Sequence, residues 1–151
     1  MTVHAQGGAV RPAQGVEETL VLVKPDAVAR GLSGEILRRI EAKGYQLVDL
    51  RMLQAEQSLL EAHYAEHAGK PFFVPLVEFM MSGPIVAARV AGHRVIEGIR
   101  VLIGATDPTV AVPGTIRGDL GREWGTAVTQ NLVHASDSPE SASRELALWF
   151  S

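Results

Sequence analysis

Residues 131–138 carry the sequence Asn131-Leu132-Val133-His134-Ala135-Ser136-Asp137-Ser138. Their first half is apolar and typical of a strand, whereas Ser138 suits a helix N-cap and Pro139 suits the first helical position. The pattern predicts a helix over about 139–149, which would bring Glu145 back toward His134. A neutral imidazole held by a carboxylate is a nucleophile or a general base at physiological pH. From these residues alone, a histidine that merely ends a strand is an equally good interpretation.

A second stretch with a clear pattern runs Thr19-Leu20-Val21-Leu22-Val23-Lys24-Pro25-Asp26. Its first five residues predict a strand, and the proline terminates it. Lys24 therefore stands at the end of a strand, where α/β domains commonly bind ligands. The competing interpretation is an ordinary surface lysine beside a turn.

Apolar periodicity and turn residues predict the remaining elements. We expect helices over about 33–43, 58–67, 71–81 and 93–103, strands over 45–53, 84–90 and 128–133, and a long loop over 105–126. In the second strand Val48, Leu50 and Met52 alternate toward one side. This order of elements indicates an α+β sandwich in which helices cover a four-stranded sheet. A loop of that length is usually functional or disordered.

The composition is that of a globular domain of ordinary size. The chain has 151 residues, of which 46% are hydrophobic and 21% are charged, and its net charge is −3. We expect a flexible tail over 1–17 and one domain over 18–151. Because there are no cysteines, disulfides, thiolate zinc sites and cysteine nucleophiles are excluded. The acidic balance argues against a primary nucleic-acid partner. Without a long apolar run, we expect a cytoplasmic protein with no membrane partner.

Several further short motifs occur along the chain. They are His63-Tyr64, Lys70-Pro71-Phe72-Phe73, Leu76-Val77-Glu78-Phe79-Met80, Ser82-Gly83-Pro84, Pro113-Gly114-Thr115-Ile116-Arg117-Gly118-Asp119 and Glu140-Ser141-Ala142. In this order and spacing, and together with the two stretches above, they resemble the nucleoside diphosphate kinase family over about 18–150. The resemblance implies a ferredoxin-like βαββαβ fold with a four-stranded antiparallel sheet covered by helices. It also implies that the long loop lies over the nucleotide site and takes part in subunit contacts.

The resemblance implies a ping-pong reaction that moves the γ-phosphate of a nucleoside triphosphate, typically ATP, to a nucleoside diphosphate. His134 would attack the phosphate through its δ nitrogen and form a phosphohistidine. The resemblance places Glu145 on the other ring nitrogen, Ser136 near the phosphate, and Tyr64 beside the histidine or the phosphate. Without the family, Glu145 also fits a helix-surface carboxylate and Tyr64 a core aromatic.

Phosphoryl transfer needs positive charge around the moving group. Lys24, Arg100 and Arg117 could supply it from three separate elements, although each also fits a solvated surface base. The resemblance assigns all three to the phosphates, and Lys24 to the sugar hydroxyl and the transition state as well. The other nucleotide contacts that it implies are Thr106 and His67 at the phosphates, Asn131 at the ribose hydroxyl, Phe72 stacked on the base, and Leu76 and Val128 as apolar walls. Stacking and apolar contact fit every base, but core packing explains both wall residues equally well.

A protein-built metal site is not expected. His63 and His67 stand four residues apart on a predicted helix, as a metal-binding pair would, but the sequence offers no third ligand near them. Mg²⁺ is instead expected on the nucleotide phosphates, where it needs few protein carboxylates.

Three positions depart from the family pattern without removing a catalytic group. Ala135 replaces the glycine that commonly follows the catalytic histidine. Asp107 stands where asparagine is frequent, and Pro75 where glycine is frequent.

A larger departure lies between Asp119 and Asn131, where the segment is about four residues longer than the usual family spacing. This length puts the role of Val128 in question. We expect the extra residues to bulge outward before the fourth strand, with Trp124 near the base or at a subunit interface.

Two other classes of function compete with the kinase. One is a catalytically silent nucleotide-binding or regulatory module on the same fold, and the other is a structural component of an oligomer. The full set of motif residues argues against a silent module. The resemblance implies a homo-oligomer that acts on ATP, GTP, ADP, GDP and their deoxy forms. Family members are usually hexamers and in some bacteria tetramers, so the hexamer is the expected state, although the sequence itself does not decide between the two.

Overall fold

The computed structural model describes residues 15–151. Its sheet has four strands in the order β2-β3-β1-β4, and every neighbouring pair is antiparallel. The strands are β1 (Val16–Val23), β2 (Gln46–Leu53), β3 (Ile85–His93) and β4 (Val133–Ala135). The helices are α1 (Pro25–Ala29), α2 (Ser33–Ala42), α3 (Gln57–His63), α4 (Phe73–Met80), α5 (Val95–Ile103), α6 (Ile116–Leu120) and α7 (Pro139–Trp149). This is the ferredoxin-like α+β fold, which confirms the predicted fold class.

The central strand β1 is covered on both faces, which explains its continuous apolar run. Val21 and Val23 face one core, which α2 and α5 complete with Ile36, Ile40 and Ile99. Leu20 and Leu22 face a second core, which α3, α4 and α7 complete with Leu60, Met80 and Leu146. Successive side chains of a strand point to opposite faces, so one strand serves both cores. The sheet is thereby fixed between two layers, and β4 is held at its edge beside β1.

The fourth strand is shorter and later than the pattern over 128–133 predicted. Only Val133–Ala135 pairs with β1. Leu132 has a φ of 75°, which lies outside the range of an extended strand and ends the pairing at that point. The predicted strand was wrong here because local β propensity does not reveal the turn before Val133.

Other boundaries also differ from those predicted. The loop expected over 105–126 contains the short helix α6, whose N-cap Thr115 accepts a hydrogen bond from the Gly118 amide. The helix expected over 58–67 ends at His63 and is followed by a separate 3-10 turn. β1 starts at Val16, inside the predicted tail, and the tail residues 1–14 lie outside the described residues.

The outer strand β2 presents apolar side chains to solvent. Val48, Leu50 and Met52 are all exposed in the single chain. The register between β2 and β3 is interrupted between Leu47 and Asp49, so Val48 is an extra residue on the outer strand. Within residues 15–151, none of the helices combines the length and the apolar character that a membrane crossing needs.

Candidate active site

The end of β4 and the second turn of α7 bring a histidine, a serine and a glutamate together. His134 Nε2 and Glu145 Oε1 are 2.8 Å apart, and Ser136 Oγ donates to the same carboxylate oxygen at 2.7 Å. Ser138 caps α7 by accepting a hydrogen bond from the Ser141 amide at 3.0 Å, as the sequence predicted. The cap fixes where the helix begins and therefore which residue reaches back to β4.

Glu145 is suited to hold the ring of His134 in one orientation. Burial pushes the pKa of Glu145 upward. The hydrogen bond and charge of His134, with the hydrogen bond of Ser136, outweigh that effect, so the pKa lies below its usual value. An ionised carboxylate only accepts hydrogen bonds, which places a proton on His134 Nε2. In the neutral imidazole the lone pair is then on Nδ1, the nitrogen that an incoming electrophile would meet.

Ser136 lies behind the carboxylate rather than in the cleft. Its side chain is completely buried, and Oγ accepts a hydrogen bond from the Leu20 amide at 3.4 Å while it donates to Glu145. The expected contact of Ser136 with a phosphate does not fit this environment. Its position instead suits a role in fixing Glu145 against the central strand.

A second histidine, His63, packs against His134 and was not expected to do so. The two ring centroids are 4.6 Å apart in an edge-to-face arrangement. Trp149 Nε1 donates to His63 Nδ1 at 3.0 Å. Burial, and then the charge of His134, lowers the pKa of His63 to about 3, so this ring stays neutral. The sequence offered only the spacing of His63 and His67, which suggested a different partner.

A row of aromatic rings continues from His63 toward the surface. The Tyr64 ring lies 4.6 Å from His63, and His67 stacks on Tyr64 at 6.3 Å. Phe72 follows at 5.1 Å from His67 and is 48% exposed. Burial raises the pKa of Tyr64, so its hydroxyl stays protonated. Of the residues expected around the nucleotide, this row contains Tyr64, His67 and Phe72.

The three predicted cations converge on one region. Lys24 Nζ donates to Asn131 Oδ1 at 2.8 Å. Burial lowers the pKa of Lys24 to about 8, with Asp26 opposing the change and Arg117 adding to it. Burial, and then the charge of Arg100, lowers the pKa of Arg117 to about 10. The side chains are therefore close enough for their positive charges to repel one another, as is typical of a site that binds an anion.

Arg117 is mostly buried, and the protein itself occupies most of its hydrogen-bonding groups. It is 6% exposed, and its guanidinium donates to three backbone carbonyls. These are Asn131 at 3.0 Å, Gly104 at 3.0 Å and Val133 at 2.6 Å. A guanidinium has five N–H groups, so two remain for a further acceptor.

Arg100 and Thr106 lie along a neighbouring part of the surface. Arg100 is exposed, and its Nη1 donates to the Ala135 carbonyl at 3.3 Å, beside His134 in the chain. The Thr106 carbonyl accepts a hydrogen bond from Asn131 Nδ2 at 2.9 Å. Asn131 therefore links the two neighbours that the sequence placed at the phosphates, Lys24 and Thr106.

The residues expected around the base line one cleft with Lys24 and Asn131. This cleft has a volume of about 490 Å³, and its walls include Phe72, Leu76 and Val128. Val128 thus lies on the cleft despite the longer segment before it. Most of that segment is exposed, and its Trp124 ring lies 5.6 Å from the Arg30 guanidinium and 4.4 Å from that of Arg122.

The donor groups near His134 do not suit Mg²⁺. Within residues 15–151, the one cluster with metal-ligand spacing is His63, His134 and Glu145, whose candidate ligand atoms lie within 4.8 Å of one another. Mg²⁺ prefers six oxygen ligands, whereas this buried cluster offers mainly ring nitrogens. His63 Nδ1 is also occupied by Trp149, and His134 Nε2 by Glu145.

Comparisons with known proteins agree with one another. The nucleoside diphosphate kinase family model matches residues 17–151. A nucleoside diphosphate kinase of Streptomyces avermitilis is 58% identical over 135 residues, 89% of this chain and 96% of the relative. That of Saccharopolyspora erythraea is 61% identical over the same shares of each chain.

Solved structures give the same result. A nucleoside diphosphate kinase family protein from Babesia bovis has a TM-score of 0.84 at 44% identity, covering 89% of this chain and 88% of that one. A transition-state mimic of the Borrelia burgdorferi nucleoside-diphosphate kinase, with bound vanadate and ADP, has a TM-score of 0.85 at 34% identity. It covers 92% of this chain and 89% of that one. The present chain belongs to the nucleoside diphosphate kinase family of phosphotransferases.

Proposed function

We propose that this chain moves the γ-phosphate of a nucleoside triphosphate to a nucleoside diphosphate through a phosphohistidine at His134. The observation that carries the proposal is the hydrogen bond between His134 Nε2 and the ionised Glu145, which leaves the Nδ1 lone pair as the nucleophile. In the first half-reaction Nδ1 bonds to the γ-phosphorus, and the bond from phosphorus to the bridging oxygen breaks. The nucleoside diphosphate leaves with that electron pair. In the second, a terminal phosphate oxygen of the acceptor attacks the phosphorus, and the N–P bond breaks.

The cationic cluster supports this chemistry. We assign Lys24, Arg100, Arg117 and Thr106 to the phosphates, where positive charge stabilises the oxygens of the transferred group. The proximity of the charges supports the assignment, because Arg117 contributes to the lowered pKa of Lys24, and Arg100 to that of Arg117, in addition to the larger effect of burial. His134 is the middle residue of β4, and the carbonyl to which Arg100 donates belongs to the next residue, Ala135.

The cleft next to Lys24 fits a nucleoside. We assign Phe72 to stacking on the base, Leu76 and Val128 to its apolar walls, and Asn131 to the ribose hydroxyl. Their shared cleft of about 490 Å³ supports this arrangement, and it leaves all four bases acceptable because stacking does not read hydrogen-bond patterns. We place Tyr64 and His67 at the inner end of the cleft, toward the phosphates.

Kinase reactions of this family generally use a divalent metal, and we propose Mg²⁺. The protein groups near His134 do not fit it, so its ligands would be nucleotide phosphate oxygens and water. Bound there, Mg²⁺ would neutralise part of the phosphate charge. A cytoplasmic location stays a prediction from the sequence.

The phosphohistidine can be tested directly. We would incubate the protein with γ-³²P-labelled ATP and Mg²⁺ without an acceptor, using the wild type, His134→Ala and His93→Ala. His93 is an exposed histidine at the end of β3 and serves as the matched control. We expect acid-labile label on the wild type and His93→Ala only, discharged by GDP. An unlabelled wild type that still binds nucleotide would favour the silent binding module. Label on His134→Ala would move the nucleophile elsewhere.

We also propose that the chain forms a homo-oligomer, a hexamer rather than a tetramer. The support is apolar surface that a single chain leaves exposed, on β2 at Leu50 and Met52 and in the long loop at Val110 and Val112. Sedimentation velocity over a range of concentrations tests this directly. A monomer at micromolar concentration would contradict the proposal, and a tetramer would correct its stoichiometry.

A further inference from the structure

A strained turn lies immediately before the strand that carries His134. The Val133 amide donates to the Asn131 carbonyl at 2.8 Å, which closes a three-residue γ-turn around Leu132. Leu132 is buried and has a φ of 75°. A γ-turn with a positive central φ is the rare, strained form, and a bulky residue rarely adopts it. Such a conformation persists only where the surrounding structure holds it.

The corner between β1 and α1 holds both backbone polar groups of Leu132. Asp26 Oδ2 accepts a hydrogen bond from the Leu132 amide at 3.0 Å, although the two residues are 106 positions apart. The Leu132 carbonyl accepts a hydrogen bond from the Lys24 amide at 2.9 Å. Asp26 is buried in the first turn of α1, so its carboxylate is fixed when β1 and α1 form.

The turn separates two groups of the proposed site. Asn131, on one side, holds the Lys24 ammonium through its side chain. His134 follows two residues after Leu132. Arg117 donates to the carbonyls of Asn131 and Val133, at the two ends of the turn, while Asp26 holds its centre. A change in this turn would therefore shift the Asn131 side chain relative to the His134 ring.

We propose that Asp26 is a positioning residue, which holds the Leu132 turn through its hydrogen bond to the amide and so sets the spacing between Asn131 and His134. This inference rests on the proposed function of the same site. The competing account is that Asp26 acts only as a negative charge beside Lys24 and Arg117. The second oxygen of Asp26, Oδ1, is buried and has no hydrogen-bond partner among residues 15–151. The contact with the Leu132 amide is therefore made by Oδ2 alone.

Two substitutions separate geometry from charge. Asp26→Asn keeps an oxygen that can accept from the Leu132 amide but removes the negative charge. Asp26→Ala removes both. With saturating ATP and Mg²⁺, we expect phosphohistidine formation to fall by less than about fivefold in Asp26→Asn and by about 30-fold or more in Asp26→Ala. Affinity for ADP should change by less than about threefold in Asp26→Asn, because the turn and the Asn131 side chain keep their positions in that variant.

A second readout follows the turn itself. In amide hydrogen exchange, the Leu132 amide should lose protection in Asp26→Ala and keep it in Asp26→Asn. If Asp26→Ala does not fold by circular dichroism, Asp26→Ser takes its place, since its hydroxyl is too short to reach the amide.

The outcomes distinguish this inference from the proposed function. If the wild type forms no phosphohistidine, the proposed function fails, and this inference fails with it. If the wild type is labelled and Asp26→Ala is labelled as fast, only the positioning role is overturned. An Asp26→Asn variant as slow as Asp26→Ala would also overturn it and would favour the role of a negative charge. A slow alanine variant, a nearly normal asparagine variant and the matching change in exchange would support it.

Discussion

Replacing Glu145 by alanine or by glutamine should slow the phosphorylation of His134 by different amounts. Glu145 Oε1 accepts from His134 Nε2 at 2.8 Å and from Ser136 Oγ at 2.7 Å. A hydrogen bond to a charged group contributes about 1.5–3 kcal/mol, and about 1.4 kcal/mol of barrier is a factor of ten in rate. Glu145→Ala removes the acceptor and the charge, so it should slow phosphorylation by roughly 10- to 150-fold. Glu145→Gln keeps a carbonyl oxygen for both donors, so it should lose about tenfold or less.

The difference between the two variants tests how Glu145 acts. The glutamine oxygen can still accept from Nε2–H, which keeps the lone pair on His134 Nδ1. Alanine allows the ring to rotate and the proton to move between the nitrogens. The phosphoenzyme should still form in both variants because Glu145 orients the ring and does not attack.

Single-turnover quench-flow with γ-³²P-labelled ATP measures the phosphorylation rate, and equilibrium binding of ADP provides the control. ADP affinity should change by less than about threefold, because Glu145 contacts no proposed nucleotide group. Phosphorylation of Glu145→Ala at the wild-type rate would refute the orienting role. A glutamine variant slower than the alanine variant would refute the argument from the proton position.

Three further predictions concern pH and stability. Burial lowers the pKa of Lys24 to about 8, so kcat/KM should fall above that pH. Lys24→Arg should move this alkaline fall in kcat/KM to higher pH. If initial rates of the variant fall at the same pH as those of the wild type, the prediction is wrong. Burial lowers the pKa of His63 to about 3, so between about pH 6 and 4 the unfolded chain binds a proton that the folded chain does not. The free energy of unfolding should then fall by about 1.4 kcal/mol per pH unit on acidification, and His63→Gln should remove that part of the slope in urea titrations. Ser138→Ala should lower the free energy of unfolding by about 1 kcal/mol, because the Ser141 amide loses its N-cap acceptor. Ser143 is exposed on the same helix, and Ser143→Ala should change the free energy of unfolding by less than about 0.5 kcal/mol. Equal losses in the two variants would argue against the cap.

Local signals account for what the sequence predicted well. The start of α7 was predictable because its signals, the N-cap Ser138 and Pro139 at the first helical position, lie in the first turn of the helix itself. The run of β-prone residues from Thr19 to Val23 likewise predicted a strand, which the structure contains as part of β1. The shortened β4 was not predictable in this way, since the turn at Leu132 depends on Asp26, which lies 106 positions away. The sequence drew attention to Asp26 only as part of a motif with Lys24.

In the candidate active site, too, the sequence predicted which residues come together but not the contacts that hold them. The residues that the family resemblance named for the phosphates, sugar and base do gather around one region, as the contacts of Lys24 and Asn131 show. Their detailed partners were not predictable. Arg117 donates to three carbonyls, and its neighbours in sequence, Ile116 and Gly118, give no sign of such contacts. The pairing of His63 with Trp149 joins α3 to the end of α7, which periodicity along either helix cannot reveal.

The extra residue on β2 has a consequence for which chains can pair with this one. An exposed edge strand with apolar side chains normally accepts almost any extended segment, and this is how many proteins begin to co-aggregate. At Val48 the pairing of β2 with β3 is interrupted, and a bulge of this kind generally bends its strand and so alters the free edge. A regular foreign strand that pairs on one side of Val48 loses alignment on the other. Another copy of this chain carries the same interruption and can keep alignment on both sides across a twofold axis. If copies of this chain associate through β2, the interruption would favour pairing between identical chains over pairing with an unrelated strand.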